Sequence, residues 1–368
     1  MKLAALIIAT LALAPTSASA APPTDCPLRN VPFSLDSPLL DILLSPRASA
    51  VANAATSGAL SKLSPFFTST EPPTFAAIIT LRQAIARDGS ADRLPADLDF
   101  RLRVLPITGS DRLARCARYD NDRPHFALKP RGPHLLLFEK ITGFKDSPSV
   151  NAAHAMFIDL AARRGWDMAV TDRAGVFTPA SLARFDAVIW NNVSGDVLTL
   201  AQRQAFRSYI ERGGGFVGVH GSGGDPVYFW NWYTDRLLGA RFKGHPMHPQ
   251  FQDARIVLDD KDNLAAAHLP AEWRMKDEWY SFKSNPRRIG ADIIATLDES
   301  SYDPASEGLA TGDHPIAWTN RIGTGKMFYS AIGHRPETFA NPHYVAMIED
   351  ALSWIVDRKK SAPAAPKH

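Results

Sequence analysis

The stretch Gly213-Gly214-Gly215-Phe216-Val217-Gly218-Val219-His220-Gly221-Ser222-Gly223-Gly224 decides the fold. Its apolar run, Phe216 to Val219, ends in one imidazole, His220, set in a glycine-rich turn. A strand that delivers a single side chain into such a turn resembles the nucleophile elbow of α/β enzymes, where glycines permit the tight turn and expose one group at the strand's carboxyl end. Here that group is neither Ser nor Cys. An imidazole so placed can act as a general base or offer a lone pair to a metal, but it is a poor choice for a lasting covalent intermediate on a carbonyl. The plainer reading is a histidine in a tight turn after a core strand.

Upstream, Thr199 to Arg212 has the marks of a helix that feeds this strand. Thr199 serves as N-cap with Gln202 three residues on, Ala205, Phe206, Tyr209 and Ile210 share a face, and Gly213 is the stop. Strand and helix patterns alternate from His134 onward. Leu135-Leu136-Leu137-Phe138 reads as a buried strand, Asn151 to Arg164 as a crossover helix, and Phe185 to Trp190 as a strand that ends at the polar turn Asn191-Asn192. Further strands are expected at Ala254–Leu258, Asp292–Leu297, Pro315–Thr319 and Lys326–Ile332, and Asn341-Pro342 opens a last helix with Val345, Ile348, Leu352 and Ile355 inward. The alternation predicts a doubly wound, mostly parallel α/β sheet over 131–358.

The region 21–130 reads differently. Leu39, Leu40, Leu43 and Leu44, then Phe75, Ile78, Ile79 and Leu81, carry helical spacing broken by proline joints at Ser64-Pro65 and Glu71-Pro72-Pro73, which predicts a mostly helical N-terminal region without a chemical motif. Residues 1–20 have the form of a secretory signal. Lys2 is followed by an apolar stretch and by Ser17-Ala18-Ser19-Ala20 as the cleavage site, so cleavage is expected near Ala20-Ala21 and the location is expected to be periplasmic or secreted. In that oxidising setting the two cysteines, Cys26 and Cys116, are expected to pair. The tail 359–368 reads as disordered, and no segment supplies the roughly 20 apolar residues a membrane span needs.

The chain has 368 residues, 45% of them hydrophobic, with 41 basic and 38 acidic side chains and a net charge of +3. That balance argues against a nucleic-acid partner.

Ligands of doubly wound sheets collect at the carboxyl ends of the strands, so the polar groups that follow strands are the candidates. His220 and Ser222 follow the glycine-flanked strand, His245 and His248 lie in Lys243-Gly244-His245-Pro246-Met247-His248-Pro249-Gln250, Asp277 and Glu278 precede Trp279-Tyr280, and His334 to Glu337 follow the last strand. Histidines with carboxylates suit a divalent metal such as Zn, with His220, His245 and His248 as the candidate ligands. The same residues suit a metal-free pocket with His220 or His334 as base and Asp277 or Glu278 orienting it, and both alternatives stand. The aromatics Trp230, Trp232, Tyr233, Trp279 and Tyr280 read either as core packing or as a platform for a sugar ring, with Asp225 and Asp277 accepting from its hydroxyls and Lys243 beside it.

Together these motifs resemble the ThuA-like family, named for trehalose utilisation and built on a class I glutamine amidotransferase-like, flavodoxin-like fold. The residues that carry the resemblance are Gly143-Phe144, Ser194 to Leu198, Gly214 to His220, Trp230 to Tyr233, Phe242 to Pro246, Asp277 to Tyr280, Asp313 to Trp318, and Gly333-His334 with Glu337. His220 stands where the amidotransferase relatives carry a cysteine, so thioester hydrolysis of glutamine has no nucleophile. Lys145-Asp146 stands where many members carry a first-loop histidine. The resemblance implies an enzyme of carbohydrate metabolism acting on a glycoside or keto-sugar by hydrolysis, elimination or isomerisation. The alternative is a non-catalytic sugar-binding protein partnering a periplasmic sugar dehydrogenase, and a third reading is a hydrolase using Ser222.

Overall fold

The apolar run after His134 forms the first strand of a nine-stranded sheet in the computed structural model, which describes residues 23–87 and 94–357. The expected signal segment and C-terminal tail lie outside the described residues. In chain order the N-terminal region folds as α1 (Leu39–Leu43), α2 (Pro46–Ala55), α3 (Pro65–Thr68), α4 (Leu81–Arg87), α5 (Leu98–Arg103) and α6 (Gly109–Cys116). There follow β1 (His134–Phe138), α7 (Ser147–Arg164), β2 (Asp167–Thr171), α8 (Pro179–Leu182), β3 (Ala187–Asn191), α9 (Leu200–Glu211) and β4 (Gly215–Val219). The remainder is β5 (Phe242–Gly244), β6 (Phe251–Leu258), β7 (Glu272–Glu278), β8 (Ser281–Phe282), β9 (Asp292–Leu297), β10 (Pro315–Ile322), β11 (Gly325–Ser330) and α10 (Pro342–Val356).

The strand order is β2-β1-β3-β4-β11-β10-β9-β6-β7, with β5 and β8 as a separate pair. The first five strands are parallel, as the sequence pattern predicts. Beyond β11 the pairing turns antiparallel. The cause is local. Only Gly323 and Thr324 separate β10 from β11, a two-residue link that closes a hairpin but is far too short for a parallel crossover. Gly323 takes φ 60°, as such a turn requires.

Helix α9 starts where its sequence says. Thr199 and Gln202 form a reciprocal capping box, and Phe206, Tyr209 and Ile210 face the sheet. The ring of Phe206 stacks on Trp190 at the end of β3, with centroids 5.5 Å apart. β3 and β4 are buried along their whole length, which suits strands covered on both faces.

The N-terminal helices enclose a smaller core of their own around Leu39, Leu40, Ile79, Leu81, Leu98 and Leu102. Under it Asp41 sits between the buried guanidinium groups of Arg115 and Arg118, at 3.7 and 2.8 Å. Cys26 and Cys116 are disulfide-bonded. Several bonds fix this region to the sheet: Thr74 N–H donates to Thr142 O at 3.0 Å, the Tyr119 hydroxyl to Asp196 at 2.7 Å, and Gln202 Nε2 to Asp120 O at 2.7 Å. Among the described residues no helix is long and apolar enough to cross a membrane.

Candidate active site

The order of strands reverses at β1, since β2 lies on one side of it and β3 on the other, so the loops beyond β1 and β3 open a crevice at the carboxyl edge. Into this crevice come Phe144 after β1, Asn192 and Ser194 after β3, His220 after β4, Glu278 at the end of β7 and His334 after β11.

His220 is the residue that turns the corner. Its φ is 37°, a left-handed conformation that costs a non-glycine residue on the order of 1 kcal/mol and that clusters at functional sites. Its ring is buried, stacked on Tyr280 with centroids 4.1 Å apart, and its Nδ1 lies 2.7 Å from Ala331 O. A carbonyl only accepts, so Nδ1 carries the proton, and a neutral ring presents Nε2 as a lone pair. That nitrogen lies 3.2 Å from His334 Nδ1 and 3.4 Å from Glu278 Oε2, and His334 Nδ1 lies 3.1 Å from the same oxygen.

Glu278 is fully buried, with Gln250 Nε2 donating to its Oε1 at 2.6 Å and His245 Nδ1 at 3.2 Å from that oxygen. Burial alone would raise the Glu278 carboxyl, but the facing imidazoles of His220 and His334 hold it well below the usual carboxylate range. Burial would lower the His334 ring, and Glu278 beside it raises it instead.

Three ligand atoms thus converge, one of them a lone pair, one a carboxylate and one an imidazole nitrogen, all within 4.8 Å. Two acceptors point at one another, and either the Nδ1–H of His334, within hydrogen-bond distance of both, or a cation can sit between them. The spacing suits a cation. Zinc bonds of about 2.0–2.1 Å at tetrahedral angles put neighbouring ligand atoms roughly 3.3 Å apart, close to the separations here. The carbonyl behind His220 is the outer-shell partner that a ligating histidine needs.

The structure separates the other candidates. His245 reaches the cluster through Glu278, but His248 does not: its side chain is 89% exposed and its nearest carboxylate is Glu307 at 3.7 Å. Of the expected ligands His220, His245 and His248, only His220 belongs to the group of atoms that, among the described residues, lie close enough to hold an ion, and Glu278 and His334 complete that group. His248 turns outward, where Glu307 Oε1 accepts from its backbone N–H at 2.9 Å, while Gln250 turns in to Glu278. Asp277 also departs from its expected place. It accepts hydrogen bonds from the backbone N–H groups of Glu278, Gly333, His334 and Arg335 and from Thr338, so it holds the His334 loop and does not enter the cavity. Asp225 does line the cavity, and its carboxylate accepts from Ser194 Oγ at 2.5 Å and Gly195 N at 2.7 Å.

Of the expected sugar platform, Tyr280 alone of the five aromatics stands at the cluster. Trp230, Trp232 and Tyr233 pack on Phe206 and Trp190 behind the elbow, and Trp279 is buried with its indole N–H on Gln252 O. Lys243 lines the cavity and donates to Gly308 O at 2.7 Å. Glu337 points outward and pairs with Arg335 at 3.1 Å. Ser222 Oγ is buried and donates to Trp190 O at 3.0 Å, which leaves the hydrolase reading without an accessible nucleophile. Lys145 is exposed, while Asp146 caps α7 through Ser149 N at 3.2 Å. Sequence reasoning misses Gln250 and Phe144, although Gln250 closes the same loop string as His245 and Phe144 follows the first-loop glycine.

A mostly parallel sheet that delivers a buried histidine into the turn beyond β4 defines an α/β protein with an imidazole at the strand's carboxyl end. Its family is plain from the sequence: the ThuA family, described by trehalose utilisation, matches residues 134–355, more than half of the chain, and the chain belongs to it. A ThuA-like protein from Bacteroides uniformis is similar at 23% identity, over 65% of this chain and 98% of its own, with a TM-score of 0.53. Another from Parabacteroides merdae is 18% identical over 64% of this chain and 94% of its own, with a TM-score of 0.48. No curated protein matches the sequence. Family membership gives the chain a carbohydrate-related role.

Proposed function

We propose that this is an exported enzyme that acts on a keto-sugar, free or as a keto-glycoside, by proton abstraction next to its carbonyl, with a divalent ion held by His220 Nε2, His334 Nδ1 and Glu278 Oε2. The observation that carries this reading is the convergence of those three atoms at 3.1 to 3.4 Å, with His220 Nδ1 already committed to Ala331 O. An ion there would polarise the sugar carbonyl as a Lewis acid. His245, on the cavity side of Glu278, takes the proton from the neighbouring carbon. The electron pair left on that carbon either returns with the proton at another position or expels a glycosidic oxygen, which takes the proton. Tyr280 closes the space behind His220, and Gln250 fixes the Glu278 carboxylate. Export is supported by the disulfide, which oxidising compartments favour, and by the signal-like start of the sequence.

The test is the metal content of the purified protein by mass spectrometry. Close to one divalent ion per chain is expected for the wild type and for His248→Ala, with most of it lost in His220→Ala and Glu278→Gln. A wild type that takes up no ion after loading with zinc or manganese overturns the metal assignment and leaves His334 with Glu278 as a metal-free acid/base pair.

A further inference from the structure

We infer that the N-terminal helical region builds a second subsite in the same cavity, one that takes a flat apolar group, so that the substrate is a glycoside with an aryl aglycone. This rests on the reading of the His220–Glu278–His334 cluster as the reacting end. The cavity encloses about 700 Å³, and its lining joins that cluster to side chains that lie well before the start of the family-matched segment.

The wall is aromatic and continuous. Phe66 in α3 lies 5.0 Å from Phe75 and 6.4 Å from Phe144, ring centroid to ring centroid, and Phe144 lies 6.1 Å from the ring of His334. Phe66 is 52% exposed and Phe144 39%, so two phenyl rings stand uncovered beside the candidate reacting groups. Single exposed phenylalanines need no explanation, but two that face one cavity beside buried polar groups are the lining a ligand site uses. Arg87 lies over Phe67 with its guanidinium carbon 4.8 Å from the ring centroid, and adds a cation to the rim.

The lining at this end is mainly apolar: among the described N-terminal residues Gln83 and Arg87 are the polar side chains it offers beside Phe66, Phe67, Phe75 and Ile78, which suits a flat apolar group better than a ring of hydroxyls. The wall is held in place where it meets the sheet. Ile78 and the Ser194 hydroxyl leave no room for a Cβ at Gly143, and Thr74 is bonded to Thr142 O. The distance from wall to cluster is spanned by one ring, Phe144, so a substrate bonded through oxygen to an aryl group can rest its sugar on the cluster and its aglycone on Phe66 and Phe144. In the elimination above that aglycone is the group expelled, and a phenolic oxygen leaves more readily than an alkoxide because the phenol is the stronger acid.

The test uses phenyl and methyl β-D-glucopyranoside oxidised to the ketone at C3, where C2–H lies next to the carbonyl and the C1 oxygen can be expelled, followed by saturation-transfer NMR and by titration calorimetry with the full-length mature protein. Expected are saturation of the phenyl protons and binding of a phenyl glycoside roughly tenfold tighter than its methyl partner, in line with the worth of aromatic contacts. Phe66→Ala with Phe144→Ala removes that preference, and His220→Ala keeps it. Equal binding of the phenyl and methyl partners, or a preference untouched in the double variant, overturns the inference. Turnover that is indifferent to the aglycone and to both phenylalanines would leave the proposed function standing while this subsite falls. A phenyl preference lost in the double variant, in a protein that binds no metal and turns nothing over, would do the reverse.

Discussion

At the scale of single residues, the site is built by groups that look alike in sequence and part company in space. Asp277 and Glu278 are neighbours at the end of β7, and successive strand residues face opposite ways, so one clamps the His334 loop while the other enters the cluster. The alternation tells that their roles differ, and only the fold tells which is which. Asp225 offers a measurable case of the same kind. Burial pushes its carboxyl up to about 7, against the hydrogen bonds from Ser194 and Gly195. A raised folded value means the folded state holds the proton more tightly than the unfolded chain, where the carboxyl titrates near its ordinary 3.8. This residue's contribution therefore falls as pH rises from about 4 to about 7, by on the order of 1.4 kcal/mol for each pH unit crossed. Urea unfolding at pH 5 and pH 8 is expected to show a loss in the wild type that is clearly smaller in Asp225→Asn.

At the scale of elements, the legible parts are those whose signals are local. The caps and glycine stops of α9 and the all-apolar runs of β1, β3 and β4 need no distant partner to be read. Thr199→Ala is expected to cost about 1 kcal/mol, read as a lower urea midpoint with unchanged slope. Strand β2 escapes the sequence pattern because Asp167 to Thr171 is a short edge strand of mixed polarity. Strand β7 escapes it although Trp273, Met275 and Asp277 alternate inward, because the charged residues between them mask the period. The histidines are legible by type and by their places after strands. Their grouping is not, since His220 and His334 lie 114 residues apart, and the loop spacing of His245 and His248 points to a pair that the backbone separates.

At the scale of the whole molecule, the N-terminal region is legible as helical but not in its role. The phenylalanines of α3 and of the following turn gain meaning only where they meet Phe144. The disulfide between Cys26 and Cys116 spans 90 residues and encloses the N-terminal part of that wall, Phe66, Phe67 and Phe75. On a chain-entropy account a loop of this length is worth about 4–5 kcal/mol. The double variant Cys26→Ser with Cys116→Ser is expected to melt several degrees lower and, through a looser wall, to bind a phenyl glycoside less tightly than the oxidised protein.

The position of β11 has a consequence for biosynthesis. It is the last strand to leave the ribosome, yet it lies fifth in the order of nine, between β4 and β10. Until it arrives, a growing chain presents the long side of Gly215 to Val219 without a partner there, and an open apolar strand is a template for joining other chains. The same late insertion brings in the loop that carries His334. An unfinished or truncated chain thus lacks both the cover for that strand and the loop of the candidate site, and one event, the threading of six residues into the middle of the sheet, supplies both.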